Sequence, residues 1–395
     1  MSGSERIRLL EEAAGRADKW IEFRRDLHRY PELSFEEAET AAKVRRELDR
    51  LGIPYRSGVG GHGIVAELNG AESGPTIALR ADMDALPIQE ESGAPFASER
   101  PGVMHACGHD AHTAILLGAA ELLASRRPAR GSIRLLFQSA EEINAGAKAM
   151  IAEGALDGVD EIYGLHNLPT LPAGLVATRR GALMGSVDRL ELTLTGRGGH
   201  GAIPNETIDP IVCASALVMG LQTAVSRELS PFEPAVVTIG SLQAGHANNV
   251  IPHRAELTGT VRAFDPAVQA KLPGIIKRLV EGIAYGYRCQ ADLRYMEQVP
   301  VLVNHDAQAA FVEAATDALI GRERRVEAAP TMAGEDFSVY LKHVPGCFFW
   351  LGSGPRQGAE NAYGLHHPQY TLNEECIPLG AALLASLALD RLNHI

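Results

Sequence analysis

The sequence predicts an α/β chain: a mixed, twisted sheet with helices on both faces, plus an inserted two-layer β-α-β-β-α-β domain. Three observations carry this expectation. A length of 395 residues exceeds one ordinary core and calls for about two domains. As far as Leu165, short apolar runs bounded by glycine or proline alternate with helical stretches, as in a sheet buried between helices. Near Met184-Gly185 the pattern changes to strict alternation, which suits a strand with one solvated face.

Residues 5–51 read as helices broken at Tyr30-Pro31, with Ser34 as a cap before Phe35-Glu36-Glu37. Strands follow at 63–68 and 75–80. The stretch from Asp110 to Ser125 is apolar on nearly every face, which predicts a helix inside a large domain, capped by Asp110. Strands come next at 132–138 and 161–165. The alternating run 187–195 is followed by a helix at 209–227, strands at 235–242 and 255–262, a helix at 266–285 and a strand at 288–295. That order is the split βαβ unit of a two-layer sandwich. The chain is therefore expected to divide into a first domain of 1–184 and 297–395 and an inserted domain of 185–296. A helix at 305–320, the apolar strand 347–351 and a last helix from about Ile377 complete the return.

A hydrophobic content of 46% with 22% charged residues is that of a soluble globular protein. The net charge of −12, with no lysine- or arginine-rich block, argues against nucleic acid or an anionic membrane as the main partner. An anionic small substrate stays open, because one pocket arginine outweighs a distant acidic surface. No apolar run approaches the roughly 20 residues that span a bilayer, and Met1-Ser-Gly-Ser-Glu-Arg6 lacks the apolar core of a secretory signal. Cys107, Cys213, Cys289, Cys347 and Cys376 are scattered and odd in number, so a disulfide framework is not expected and a cytoplasmic location fits.

Only Cys107 has company that implies ligation. It lies in Met104-His-Ala-Cys-Gly-His-Asp-Ala-His112, one glycine away from His109. Both can address one ion if the backbone turns tightly, and Gly108 permits that turn. A thiolate beside an imidazole suits zinc or a neighbouring first-row ion better than magnesium or calcium. A helix starting at Asp110 would favour the thiolate form.

The remaining candidates fall where strands are expected to end. Asp82 and Asp84 follow one strand, Glu141 and Glu142 another, and His166 a third; ligands in open α/β sheets bind at such carboxyl ends. In an extended backbone, Glu141 and Glu142 would point to opposite sides, one towards a metal and the other towards a bound water. Metal-assisted hydrolysis needs that division of labour. Asp84 either orients a histidine ligand or caps the turn before Pro87. His366 and His367 compete for a single role.

The chain resembles the metal-dependent aminoacylase and carboxypeptidase family, in the branch of hippurate hydrolases and indole-acetyl-amino-acid amidohydrolases. The matching pieces span nearly the whole chain: Arg25-Asp-Leu-His-Arg-Tyr-Pro-Glu-Leu-Ser34, Arg80-Ala-Asp-Met-Asp-Ala-Leu-Pro87, Met104-His-Ala-Cys-Gly-His-Asp110 and Gln138-Ser-Ala-Glu-Glu142. Gly198-Gly-His-Gly-Ala202, Asn249-Val-Ile-Pro252, Gly334-Glu-Asp-Phe337 and Leu365-His-His-Pro368 complete them.

The resemblance implies a dinuclear zinc-peptidase-like catalytic domain with an inserted lid. It implies two divalent ions (zinc, manganese, cobalt or nickel) held by Cys107, His109, Glu142, His166 and His366. Glu141 becomes general base and then general acid, and Asp84 supports the site. His200 on the lid stabilises the oxyanion, while Asn249 and Arg262 hold the substrate carboxylate. For Arg262 a planar fork suited to carboxylate agrees independently, against a plain strand-surface ion pair. Two positions depart from the family pattern: Ser139 replaces the usual proline, which would loosen the turn aiming Glu141, and Asn205 replaces a common histidine. Outside this branch, the wider family often has histidine where Asp82 lies.

The expected activity is hydrolysis of the amide of small N-acyl-L-amino acids, hippurate-like substrates included, with lid closure as a gating step. The rivals are a dipeptidase or carboxypeptidase on the same scaffold, and a non-catalytic binding protein with structural ions. The lid's sheet edge offers a place for homo-oligomer contact.

Overall fold

The computed structural model describes residues 1–356 and 362–393. Contacts divide the chain into two compact units: Met1–Gly181 with Val303–Ala329 and Val339–Ile395, and Ala182–Leu302 with Pro330–Ser338. The segment Pro330–Ser338 lies within the stretch assigned above to the first domain, yet it clusters with the second. Its backbone explains this: the Gly185 N–H donates to the carbonyls of Thr331 (2.9 Å) and Ala333 (3.0 Å).

Three helices come first, α1 (Gly3–Gly15), α2 (Ala17–Arg29) and α3 (Ala38–Leu51). They lead to strands β1 (Tyr55–Val59), β2 (Gly63–Asn69) and β3 (Glu72–Asp82). Helix α4 (His109–Ala124), β4 (Arg130–Gln138), α5 (Gly146–Ala152), β5 (Glu161–Pro172) and β6 (Val176–Thr178) follow. After β7 (Gly181–Met184) come β8 (Val187–Thr195), β9 (Gly199–His200), α6 (Pro210–Gly220) and α7 (Thr223–Ser226). Next are β10 (Ala235–Ala244), β11 (Val250–Ile251), β12 (Arg254–Ala263), α8 (Pro266–Gly286), β13 (Gln290–Val299) and β14 (Leu302–Asn304). The chain ends with α9 (Asp306–Ile320), β15 (Arg325–Glu327), α10 (Phe337–Tyr340), β16 (Gly346–Gly354) and α11 (Cys376–Leu392).

The first unit is built on an eight-stranded mixed sheet in the order β1-β2-β4-β3-β5-β16-β6-β15. Strands β4, β3, β5 and β16 are mutually parallel, whereas β1 and β2 form an antiparallel edge. From β3 the chain crosses through α4 to β4 on one side, then through α5 to β5 on the other. The strand order thus reverses at β3, and such a switch point leaves a crevice at the carboxyl ends for a ligand.

Helix α4 has no polar face: its residues from His109 to Ala120 are all buried. It packs closely because Gly118 carries no side chain. A Cβ there would lie 2.8 Å from Ala381 Cβ on α11 and 3.0 Å from the Trp20 ring on α2. Around it, Leu79, Leu116, Leu135, Phe349 and Leu384 form part of one continuous core.

Two local expectations are corrected. Ser34 does not cap α3, whose N-cap is Glu37 without a side-chain cap bond; the Ser34 hydroxyl donates instead to Asp84 (2.6 Å). Asp110 does not cap α4, whose N-cap is Gly108 in the left-handed region. Asp110 sits in the first helical turn, where Arg24 and His28 each approach one of its oxygens to 2.7 Å.

In the second unit an antiparallel sheet ordered β10-β12-β8-β13 carries α6 and α8 over a core that includes Leu192, Leu217, Leu257 and Ile276. Asp209 caps α6, accepting from the N–H of Ile211 (2.8 Å). The expected single helix 209–227 is two helices. Thr223 Oγ1 donates to the Gly220 carbonyl (2.6 Å) and Gln222 Nε2 to that of Val218 (3.3 Å), so side chains compete for acceptors the helix ladder would use. No helix among the described residues is long and apolar enough to cross a membrane.

Candidate metal centre

The site begins at the switch strand. Asp82 closes β3 and Asp84 lies two residues beyond. Glu141 and Glu142 follow β4. His166 was expected to end its strand, but β5 continues to Pro172. It still lies level with Asp82, because the β3–β5 ladder stops at Arg80 opposite Gly164. Cys107 and His109 are brought alongside by the Gly108 elbow, where φ is +87°. A Cβ at Gly108 would overlap Asn167 Nδ2 and come within 2.6 Å of the Tyr370 hydroxyl, so both backbone and packing require glycine there.

All five expected ligands meet in the first unit. Cys107 Sγ is 3.3 Å from His166 Nε2. His109 Nε2 is 3.8 Å from Glu142 Oε1, and His366 Nε2 is 3.6 Å from Glu142 Oε2. Donor atoms of Cys107, His109 and His166 lie within 4.8 Å of one another, as do those of Cys107, Glu142 and His366. Those of His109, Glu141 and Glu142 do so as well.

Hydrogen bonds set which ring nitrogens face inward. His109 Nδ1 lies 3.2 Å from Asp84 Oδ1, and His166 Nδ1 donates to the Asn167 carbonyl (2.7 Å). Both rings therefore turn Nε2 towards the cluster, the arrangement by which outer carboxylates and carbonyls orient metal-binding histidines. Asp84 is itself anchored by Ser34 and by the Glu142 N–H (3.0 Å).

The donors fit divalent ions. His109 Nε2 and Glu142 Oε1 are buried and make no hydrogen bond, although buried polar atoms nearly always have a partner. Burial opposes charge on His109, but Asp82 and Asp84 outweigh it and hold the ring's pKa at about 10. Burial raises Glu142 to about 7, with Asp84 and Asp82 adding to the rise and His109 opposing it. Burial and the charges of Glu142 and Glu141 push the Cys107 thiol well up. A bound cation reverses this logic, since it keeps carboxylates ionised and deprotonates a thiol ligand outright.

The sequence pattern of the peptidase family M20/M25/M40 matches residues 78–390. The chain belongs to that family. It is accordingly a hydrolase of amide bonds. The N-acetylcysteine deacetylase of Bacillus subtilis (strain 168) is 45% identical over 383 residues, covering 95% of this chain and 97% of its own. The IAA-amino acid hydrolase ILR1-like 2 of Arabidopsis thaliana is 42% identical, covering 95% of this chain and 86% of its own. Among solved structures, the Bacillus subtilis YXEP protein, described as a dinuclear metal-binding peptidase from the M20 family, superposes with a TM-score of 0.84. It is 40% identical, and the match covers 97% of this chain and all of that one.

In this M20/M25/M40 peptidase the glutamate pair departs from expectation. Glu141 and Glu142 lie in a turn, not in extended backbone, so both carboxylates face the same cluster. Ala140 and Asn144, on either side, have φ of +56° and +59°. The substitution of Ser139 for proline does not loosen this turn, because the Ser139 hydroxyl accepts from the His62 N–H (3.1 Å). Glu37 adds a second tie, its carboxylate accepting from the Ala140 N–H (2.8 Å).

Asp82 and His112 form a supporting layer that sequence reasoning did not resolve. Asp82 takes Arg80 Nη1 and His112 Nδ1, both at 2.6 Å. The Nε2 lone pair of His112 is shared by the Asn167 N–H (2.9 Å) and the Asn167 side-chain amide (3.0 Å), so this ring turns no nitrogen towards an ion. The sequence signal was present, since His112 is one of three histidines in eight residues. Its role depends on partners 30 and 55 residues away.

Within the second unit, the β9–β11 ribbon sets His200 opposite Val250 and beside Asn249, whose carbonyl accepts from the Gly201 N–H (2.8 Å). His200 Nδ1 accepts from the Ala202 N–H (3.0 Å), which places the proton of the neutral ring on Nε2 as an outward donor. Arg262 is half-buried on β12 and bonds Thr260 Oγ1 (3.1 Å). No carboxylate among the described residues lies within ion-pair distance of Arg262; Asp188 is engaged by Tyr295 (2.7 Å) and Gln269 (3.0 Å).

Proposed function

We propose that this protein hydrolyses N-acyl-L-amino acids, hippurate-like substrates included, to a carboxylic acid and a free amino acid. The observation that carries this is a second carboxylate at the cluster: Glu141 stands beside His109 and Glu142, in addition to the five expected ligands, as metal-assisted hydrolysis needs. Two relatives are named for splitting an acylated amino acid, N-acetylcysteine deacetylase and IAA-amino acid hydrolase.

Cys107, His109, Glu142, His166 and His366 would hold two divalent ions. When bound, these ions lower the pKa of water and polarise a carbonyl. The softer donors Cys107 and His166 lean towards zinc, while manganese, cobalt and nickel suit the rest. Glu141 accepts the proton of the attacking water and later delivers it to the leaving amine. Asp84 keeps His109 in the required tautomer. His200 donates its Nε2–H to the oxyanion that develops on the substrate. Arg262 and Asn249 hold the free carboxylate, which ties activity to an unmodified α-carboxylate.

The deciding experiment compares N-benzoylglycine, N-acetyl amino acids and plain dipeptides as substrates, with added metals and a chelator control. Chelator-sensitive cleavage of the acyl compounds, faster than that of dipeptides, is expected. Faster dipeptide cleavage favours a dipeptidase, and no hydrolysis under any metal defeats the reading. His200→Ala is expected to lower kcat by about 10²–10³ with metal content unchanged, the range for removing one oxyanion donor. Unaltered kinetics would remove His200 from the mechanism.

The five free cysteines favour a reducing compartment, the cytoplasm. We place a second copy at the open edge of β10 beside the exposed Val212 and Met219 of α6. A monomeric mass in solution rules that contact out.

A further inference from the structure

Asn167 follows His166 on β5, and no step of the proposed chemistry calls for it. It is nevertheless fully buried, with every hydrogen-bonding position of its amide used. Nδ2 donates to the Cys107 carbonyl (2.6 Å) and to His112 Nε2 (3.0 Å). Oδ1 accepts from the Tyr370 hydroxyl (2.6 Å) and the Ser353 hydroxyl (3.0 Å). The amide orientation is not arbitrary: a carbonyl only accepts, so the nitrogen must face Cys107. The backbone of the same residue also takes part, since its N–H donates to His112 and its carbonyl fixes the His166 tautomer.

We infer that Asn167 is a further positioning residue of the metal centre, holding the Cys107-Gly108-His109 elbow at the height where thiolate and imidazoles address the same ions. This rests on the reading of Cys107 as a ligand. The elbow bears directly on the Asn167 amide and the Tyr370 hydroxyl, which is why a Cβ at Gly108 has no room. Tyr370 and Ser353 stop the amide from rotating. Without the grip on its carbonyl, the Cys107–Gly108 peptide loses its direct hydrogen bond to β5 and can turn about a glycine, the residue with the widest range of φ. Losing an outer partner of a metal ligand typically costs about 10–100-fold in affinity.

The test uses cobalt(II) as the probe, titrated into metal-stripped full-length protein, with absorbance reporting thiolate-to-cobalt charge transfer. Cys107→Ala identifies which band belongs to this thiolate. Asn167→Asp keeps the size of the side chain but removes the donor to Cys107. It is expected to raise the cobalt Kd by about 10–100-fold and to weaken or shift the band, while the far-UV circular dichroism of the metal-free protein stays at wild type. An unchanged Kd and band overturn the inference. If Asn167→Asp does not fold, Tyr370→Phe decides, because it removes one hydroxyl from the same amide. A raised Kd then supports the inference, and an unchanged Kd and band overturn it. Absence of any Cys107-dependent band in the wild type would instead show that Cys107 is no ligand, and would sink both readings together.

Discussion

Replacing Glu141 with glutamine is expected to leave metal content unchanged and to lower kcat by about 10²–10⁴, the usual contribution of a positioned acid–base group. Glutamine has nearly the size of glutamate, so the turn from Ser139 to Asn144, tied by Glu37 and His62, keeps its shape. What disappears is the carboxylate proposed to accept a proton from water and return it to the amine. The expected ligands are untouched, so elemental analysis finds the wild-type stoichiometry. KM moves little, because Glu141 is assigned no contact with the carboxylate or acyl group in the ground state. Steady-state kinetics on N-acetyl and N-benzoyl amino acids check this, and turnover above a tenth of wild type defeats the assignment.

Arg80→Met is expected to destabilise the metal-free catalytic unit by about 3–5 kcal/mol, the range for breaking a buried ion pair. Arg80 and Asp82 are both inaccessible to solvent, and Arg80 also donates to Gln138 Oε1 (2.9 Å). Burial alone would raise the Asp82 pKa; His109, Arg80 and His112 reverse this and hold it well below the usual carboxylate range. A carboxylate depressed in the folded state adds stability above its unfolded pKa of about 3.9 and loses it as pH falls through the folded value. The deficit of Arg80→Met is therefore largest near neutral pH and shrinks in acid. Against a typical total of roughly 5–15 kcal/mol, this loss is severe. Denaturant unfolding with metal removed measures it. Adding Asp82→Asn to Arg80→Met should recover part of the loss, because the stranded charge is gone. A deficit under about 1 kcal/mol would show that His112 alone satisfies Asp82.

Much of the site was legible from residue types and short spacings. Cys107-Gly108-His109 reads as a ligand elbow because only glycine tolerates the turn. Glu141-Glu142 reads as ligand plus base because two adjacent carboxylates meet both needs of metal-assisted hydrolysis. The alternating runs of the inserted domain marked its strands closely, since one solvated face leaves a period of two in the sequence. Helix α4 and strand β16 declared themselves as buried elements through unbroken apolar runs. Expectation failed where a polar side chain had several partners within reach. Ser34 and Asp110 have the residue types of helix caps, yet tertiary neighbours claimed both, and the glutamate pair lies in a turn because β4 ends before it.

The sequence alone therefore determined the reaction class and the order of most strands and helices, and it nominated the ligands, because ligand chemistry and side-chain periodicity are local properties. Only the tertiary structure decided which nitrogen of His109 and His166 faces the cluster, that Asp82 and His112 form a supporting layer, and that Asn167 grips the Cys107 carbonyl. Each of these depends on a hydrogen bond between groups that can be far apart in the chain, 60 residues for Asn167 and Cys107. Periodicity reports which face of an element is buried, but not which donor waits on the other side.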